Sequence, residues 1–322
     1  MTTPFYSQND ISIYNSDCLD YLKTLPDNSI KFTLTSPPYD DIRDYNGYSF
    51  PFEDIARELW RTTNVGGVIA WNVADATVKG SETGTSMRQA LYFMSLGFRL
   101  HDTMIYAKKN PMPASVSSKR YHQAWEYIFI LSKDAPETFN PLMVKAKYGH
   151  LEANMKHRGK DGEIKYTKTK RNEFTKVRNI FEYRIGGGHS TKDKVAFGHP
   201  ALMPEQLAHD MIITWTNEGD AVFDPFTGAG TTAKMCVLSH RKFHGTELSL
   251  AYCELIKTRI ELTLNPPVAI EKPKKDKIIK MANPDLIEFD QPIPPLFEDE
   301  TCAITVTMNP LCRPMHMESV PW

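Results

Sequence analysis

Short apolar runs alternate along this chain with stretches in which hydrophobic residues recur every three to four positions. Residues 11–14 and 31–35 predict strands flanking a helix over 19–25, which the breaker group Pro26-Asp27-Asn28 ends. Residues 52–61 carry helical spacing, and Gly66-Gly67 opens an apolar strand over 68–71. A helix over 86–96 is stopped by Gly97, and strands over 101–106 and 127–131 follow. From 140 to about 194 the pattern breaks: polar residues dominate, Gly186-Gly187-Gly188 lies near the end, and an inserted module or long loop system is expected. The alternation resumes with a helix over 204–214, a strand over 221–223, a helix after Gly230, a strand over 243–246 and a helix over 251–262. Short apolar strands alternating with amphipathic helices predict a mostly parallel sheet covered on both faces. Beyond Asn265 the Pro/Lys-rich segment 271–277 resembles a linker, and the tail after it offers one strand candidate, 303–306.

Composition narrows the class. A chain of 322 residues with 41% hydrophobic content has room for one large α/β domain with an insertion, or for two smaller domains. Residues 1–15 lack the basic start and apolar core of a signal peptide, and no apolar run approaches the roughly 18 residues that cross a bilayer. The five cysteines, Cys18, Cys236, Cys253, Cys302 and Cys312, form no CxxC pair. An odd count argues against a disulfide framework, so a reducing, cytoplasmic setting without a membrane partner is expected. The net charge of −1 hides an asymmetry: between Met143 and Lys194 fourteen Lys or Arg face six Asp or Glu. A basic segment within an otherwise acidic chain is the footprint of a localised polyanion site.

Two motifs carry chemistry. Thr35-Ser36-Pro37-Pro38-Tyr39 follows a β-prone run. Two prolines remove two donors and fix φ, and Ser36 before Pro37 is pushed towards an extended conformation. The product is a stiff corner at a strand end, presenting a hydroxyl, free carbonyls and an aromatic face. Alone, it reads first as a rigid turn with a packed tyrosine. Far downstream lies Asp224-Pro225-Phe226-Thr227-Gly228-Ala229-Gly230-Thr231-Thr232, between a strand and a helix. Its glycines let backbone approach a ligand. Glu247 ends the next strand about twenty residues on, where a carboxylate can accept from ribose hydroxyls. Gly228-x-Gly230-x-x-Ala233 also satisfies the dinucleotide fingerprint, but Asp224 would face the pyrophosphate with like charge. S-adenosylmethionine (SAM), which carries a sulfonium and an amino group, suits that carboxylate better.

Together the motifs resemble the DNA amino-methyltransferases. Thr35-Ser36-Pro37-Pro38-Tyr39 is similar to their catalytic motif, Asp, Asn or Ser before Pro-Pro-Tyr, and the Asp224 turn is similar to their SAM motif. Catalytic motif first and SAM motif last is the order of the family's β permutation group. Asn15-Ser16-Asp17-Cys18-Leu19 resembles the segment at the cofactor adenine, with Ser16 where Gly is usual, and residues 198–205 resemble the block at the methionine end. The resemblance covers residues 10–265. It implies an α/β, Rossmann-like methyltransferase with a doubly wound, mostly parallel seven-stranded sheet in permuted order. The expected divisions are a catalytic half (1–139), a target-recognition insertion (140–195), a SAM-binding half (196–265) and a tail without an assigned role (266–322). It implies catalytic roles for Ser36, Pro37, Pro38 and Tyr39. Cofactor contacts are implied for Asp17, Cys18, His199, Pro200, Ala201, Pro204, Asp224, Pro225, Phe226, Gly228, Gly230, Thr231, Thr232 and Glu247.

The implied reaction explains these residue types. An exocyclic base amine is a poor nucleophile, and in a duplex it must be flipped out at a cost of a few kcal/mol. Acceptors at the Ser36 hydroxyl and Pro37 carbonyl would hold its protons, preset by the proline corner. Tyr39 would stack on the base, worth roughly 1–3 kcal/mol. In-line attack on the methyl group then rests on positioning, without a covalent intermediate. Carbon-5 methylation is excluded, since no cysteine follows a proline. A metal is not expected: His240 and His244 are spaced i, i+4 but fall at a strand without a third ligand, and are read as surface residues.

Ser before Pro-Pro-Tyr resembles the N4-cytosine enzymes, and Asp or Asn the N6-adenine ones, so N4-cytosine is expected with N6-adenine as the alternative. Asp40-Asp41 depart from the Asn common after the motif. Lys145, Lys147, Lys168, Lys170, Arg171, Lys176 and Arg178 are candidate DNA contacts, against a solvated lysine-rich loop without aromatic interleaving. Arg120, His122 and Trp125 are candidates for the base pocket, with Trp125 read as core packing. A non-catalytic SAM- and DNA-binding regulator is a rival of another class, and methylation of RNA or of a protein glutamine a weaker one. The expected partner is double-stranded DNA, with or without a separately acting restriction endonuclease, in a prokaryotic or phage-infected cell, the protein being a monomer or homodimer.

Overall fold

The computed structural model describes residues 3–39, 50–149 and 151–266. The chain divides into two units, Met1–Val268 and Ala269–Trp322, and all described residues belong to the first. Asp40-Asp41, the 271–277 linker and the 303–306 strand candidate lie outside them.

The elements run β1 (Tyr6–Gln8), β2 (Ile11–Asn15), α1 (Cys18–Thr24), β3 (Ile30–Thr35), α2 (Phe52–Thr62) and β4 (Thr63–Val73). A small hairpin, β5 (Thr77–Val78) and β6 (Ser81–Glu82), precedes α3 (Thr85–Ser95), β7 (Arg99–Lys108) and β8 (Trp125–Ser132). The basic stretch supplies β9 (Met143–Lys145), β10 (Glu152–Arg158), β11 (Ile164–Lys170), β12 (Phe174–Lys176) and β13 (Ile180–Tyr183). A 3-10 turn over Lys194–Gly198 leads to α4 (Glu205–Trp215), β14 (Ala221–Asp224), α5 (Thr231–Leu238), β15 (Lys242–Glu247) and α6 (Leu250–Leu264). Local chemistry fixes several ends: the Asp17 carboxylate accepts from the Leu19 and Asp20 amides at the start of α1, and the Ser249 hydroxyl accepts from Tyr252 at the start of α6.

The main sheet has the order β1-β2-β15-β14-β3-β4-β8-β7-β13. β2, β15, β14, β3 and β4 run parallel, and β8 is antiparallel to both β4 and β7. The expected seven strands are present, and two more extend the edges. β1 pairs antiparallel with β2 and β13 pairs parallel with β7. Both are short, and β13 lies inside the charged stretch, where no apolar periodicity announces it.

Period-two alternation sorts the sheet residues onto two cores. Phe32, Leu34, Val68, Ala70, Ile128, Ile130 and Val222 pack against α4, α5 and α6 through Met211, Ile212, Cys236 and Ile256. Ile69, Trp71, Phe129, Leu131 and Phe223 pack on the other face against Leu22 of α1, Ile55 and Leu59 of α2, and Phe93 of α3. Helices therefore leave β14 and β3 towards opposite faces, which opens a crevice at the carboxyl ends of these adjacent strands, the usual ligand position in a doubly wound sheet.

One surface reading and one core reading are corrected by this packing. His244 sits on β15, an interior strand, with its ring 4.8 Å from that of Phe223 and Nδ1 3.2 Å from the Tyr21 hydroxyl. Burial lowers its pKa to about 4. His240 is exposed, as expected. Trp125, expected in the core, is 39% exposed at the first position of β8, edge-on to Tyr127.

Candidate active site

The crevice is a cavity of about 1160 Å³ at the carboxyl ends of β2, β3, β14 and β15. One wall is the turn after β14. Asp224 is buried, and its Oδ1 accepts from the Thr35 hydroxyl (2.7 Å) and the Phe226 amide (3.0 Å), its Oδ2 from the Thr232 hydroxyl (2.7 Å). Burial pushes its pKa up to about 6, against the pull of these three donors. Its two oxygens are thus occupied by protein donors, so the carboxylate braces the turn as well as lining the cavity. Thr35 precedes Ser36, and one hydrogen bond therefore ties the two motifs together. Gly230 takes φ +76 at the start of α5, and a Cβ there would stand 2.9 Å from Cγ2 of Ile256 on α6. Both the left-handed backbone and the close helix contact require glycine.

At the end of β15, Glu247 accepts from the Gly228 amide (2.9 Å) through Oε2 and from the Ser249 amide (2.8 Å) through Oε1. Burial raises its pKa while these amides oppose the rise. Asn15 donates to the Glu247 and Leu248 carbonyls, joining the ends of β2 and β15. The loop before α4 forms a further wall. The His199 ring lies 2.7 Å from the Ala201 carbonyl and packs edge-on to Tyr252. A Cβ on Gly228, which takes φ +53, would come within 3.1 Å of His199 Nε2.

That loop is held from behind by an ion cluster. Asp193 and Glu205 each contact Lys234 (both 2.8 Å) and Arg259 (3.1 and 2.9 Å), whose guanidinium is fully buried. Arg259 also donates to the Ala229 carbonyl within the glycine turn. Burial would raise the Asp193 pKa, but the bonds to Lys234 and Arg259 outweigh it and hold the carboxyl low.

The proline corner faces the turn across the cavity. Ser36 Oγ lies 2.6 Å from the Tyr39 hydroxyl, which donates to Glu126 Oε2 at 3.0 Å. Asn72 Nδ2 donates to the same Glu126 oxygen (2.8 Å), and Glu126 Oε1 pairs with Lys108 at 2.7 Å. Burial first, then the neighbouring Glu126 charge, raises the Tyr39 pKa well above its ordinary value, so the phenol stays protonated.

Sequence motifs found most of this wall. Ser36, Pro37, Pro38 and Tyr39 line the cavity, as do all the expected cofactor residues except Gly230. The seven candidate DNA contacts are exposed and outside it. The expected lack of aromatic interleaving is corrected: Lys147 and Arg171 flank the Tyr148 ring at 5.3 and 5.8 Å, and Lys176 lies 5.1 Å from that of Phe139. Arg120 pairs with Glu82, and His122 accepts from the Ala114 amide, both away from the cavity. Asn72, Tyr106, Lys108 and Glu126 also line the cavity and were not anticipated. A polar residue directly abutting an apolar strand was their signal: Asn72 follows the run ending at Trp71, and Glu126 precedes the one starting at Tyr127.

The permuted doubly wound sheet, the glycine turn after β14 and the carboxylate ending β15 define a Rossmann-like, nucleotide-cofactor methyltransferase. The comparisons agree. A family model described as a DNA methylase, of the N6 and N4 type, matches residues 30–258. The orphan methyltransferase M.BamHII of Bacillus amyloliquefaciens is 52% identical over 247 residues, 74% of this chain and 91% of that protein. The solved M1.HpyAVI–SAM complex superposes with a TM-score of 0.51 at 24% identity, covering 77% of this chain and 99% of that one. PvuII DNA methyltransferase (cytosine-N4-specific) gives 0.58 at 18%, covering 82% and 96%. The chain belongs to the N6/N4 DNA methylase family and is a SAM-dependent DNA methyltransferase. The cavity fits that cofactor: Glu247 stands beside the glycine turn, accepting from the Gly228 amide, and the volume exceeds the about 300–1,000 Å³ of an ordinary small-ligand site. Among the described residues no helix is long and apolar enough to cross a membrane, and no cluster of metal-ligating side chains occurs.

Proposed function

We propose that this chain methylates the exocyclic N4 amine of a cytosine flipped out of duplex DNA, at sites chosen by sequence. The observation that carries the reading is a serine, not an acid or amide, at the motif position that faces the glycine turn across the cavity. Bound SAM supplies the methyl group. Asp17 and Cys18 would border its adenine, Glu247 its ribose, and the turn Asp224–Thr232 with His199, Pro200, Ala201 and Pro204 the remainder.

The hydrogen-bond chain supports a defined polarity for the corner. The Tyr39 hydrogen has two acceptors, Glu126 Oε2 (3.0 Å) and the Asn72 carbonyl (3.2 Å), and with it turned to either of them Ser36 donates to the Tyr39 oxygen. The Ser36 lone pairs are then left for the amino protons of the base, with the Pro37 carbonyl as the second acceptor. Both acceptors are preorganised by the two prolines, which is the form of catalysis that an amine held in line needs. No side chain here serves as a nucleophile. The description of the 52% identical relative as an orphan supports a solitary enzyme over one paired with an endonuclease.

The test is nucleoside analysis of DNA incubated with the protein and SAM. N4-methylcytosine is expected, and N6-methyladenine without N4-methylcytosine would overturn the cytosine assignment. Loss of transfer in Tyr39→Ala, with SAM binding retained, separates an enzyme from a regulator that only binds.

A further inference from the structure

The ladder of β10 with β11 pairs Glu152 with Lys170, Asn154 with Lys168, Lys156 with Tyr166 and Arg158 with Ile164. Directly opposed residues of an antiparallel pair share a face, and faces alternate along each strand. One face of this ribbon therefore collects Lys156, Arg158, Lys168 and Lys170 around Asn154 and Tyr166, with Glu152 as its single acid. The opposite face has Lys165 and His157 as its basic positions, with Ala153, Thr167 and Thr169 among the rest.

Three observations set this face apart. All four of its cations are exposed, and none forms an ion pair among the described residues. By contrast, Arg57, Arg61, Arg99 and Arg120 on the catalytic half each hold a carboxylate. Tyr166 is 66% exposed amid these charges, an aromatic with no packing role of its own. The ribbon itself pairs with no strand of the main sheet. A free-standing two-stranded ribbon is one of the shapes that the DNA major groove, about 12 Å wide, admits. Its seven paired positions give it a length of about 23 Å at 3.3 Å per residue.

We propose that the β10–β11 ribbon enters the DNA major groove with this face inward, its four cations on phosphates and Asn154 and Tyr166 at base edges. The inference rests on the DNA-methylating reading and adds to it the reading element. Lys156, Arg158, Asn154 and Tyr166 were not among the DNA contacts expected from the sequence. Asn is suited to bidentate pairing with adenine in that groove, and the lysines act as point charges on the backbone.

The test is the salt dependence of duplex binding by the full chain, with Lys156, Arg158, Lys168 and Lys170 all changed to Gln. Each lost phosphate contact reduces the slope of log affinity against log salt by about 0.9, so the variant should be shallower by about 3.6. Across about 50 to 200 mM salt the wild type should then lose about 150-fold more affinity than the variant. An unchanged slope in a variant that melts and binds SAM like the wild type would return the ribbon to a solvated face. Should the quadruple variant not fold, Lys168→Gln alone repeats the test with an expected change of about 0.9. A wild type that shows no salt-dependent duplex binding at all would instead remove the DNA reading and the ribbon with it. Asn154→Ala and Tyr166→Ala should keep the slope and broaden the set of sequences methylated, as read by modification-sensitive sequencing; an unbroadened set would overturn their base-reading role.

Discussion

Asp224→Asn should make this protein more stable at neutral pH. The carboxyl has a pKa near 6 in the fold against an ordinary 3.8, because burial disfavours its charge more than three hydrogen bonds favour it. A carboxyl with a raised folded pKa binds its proton more tightly folded than unfolded. Its contribution is therefore favourable below about pH 4, is withdrawn as pH rises to about 6, and stays withdrawn above. At 1.36 kcal/mol per pH unit the difference amounts to about 3 kcal/mol. Asparagine removes that term. Its Oδ1 can keep the Thr35 and Phe226 donors, and the Thr232 hydroxyl can turn to accept from Nδ2. One amide proton is left without a partner, at a cost of about 1 kcal/mol.

The net expectation is a variant about 1–2 kcal/mol more stable at pH 8 and about 1 kcal/mol less stable at pH 4, so the two stability curves cross. Urea denaturation at pH 4, 5, 6 and 8 measures the difference, and effects common to both proteins cancel. A difference that does not change with pH would refute the argument, since Asp224 would then not titrate in this window. A charge that costs stability in the folded protein is what a functional site retains. SAM binding by the same variant should accordingly weaken, as a carboxylate beside a cationic ligand is lost.

Two further substitutions separate the supporting parts. Arg259→Met leaves Asp193 and Glu205 with Lys234 alone and should cost about 3–5 kcal/mol in denaturant unfolding, the penalty for an uncompensated buried charge; a loss below about 0.5 kcal/mol would show that Lys234 suffices. Tyr39→Phe keeps the ring but removes the hydroxyl between Ser36 and Glu126, so kcat should fall with little change in KM for DNA, whereas Tyr39→Ala should damage both; equal effects would place the value of Tyr39 in its ring.

Much of this organisation was legible because periodicity and turn chemistry agree. The helices over α1, α2, α3, α4 and α6 were bounded within a residue or two, since Pro, Gly and capping residues mark their ends and each buries one stripe. The edge strands and the β9–β12 ladders were not, because exposed strands carry no hydrophobic alternation to read: all of β11 is exposed. The motif residues themselves were found, but their partners were not. Glu126 lies 87 positions from Tyr39, and Arg259 lies 54 from Glu205. Charge pairs at such separations leave no local pattern; they appear only once β8 is placed beside β4 and α6 behind the glycine turn.

The bond from Thr35 to Asp224 spans 189 positions of sequence, yet it joins neighbouring strands. What the chemistry requires is adjacency of β3 and β14 at the point where helices diverge to opposite faces, and the chain order of the two halves is immaterial to it. This explains why the permuted arrangement, with the proline corner early and the glycine turn late, leaves the site intact. It also assigns the constraint on the insertion: it need only return the chain through β13, at the β7 edge, to the loop before α4. From the end of β8 to Ile180 the chain lies outside the main sheet, and the ladders built there can vary without disturbing the proline corner. The DNA contacts proposed for β10 and β11 and the Ser36–Tyr39–Glu126 chain stand on separate elements, so substitutions on the ribbon should alter target choice without altering methyl transfer at a retained site.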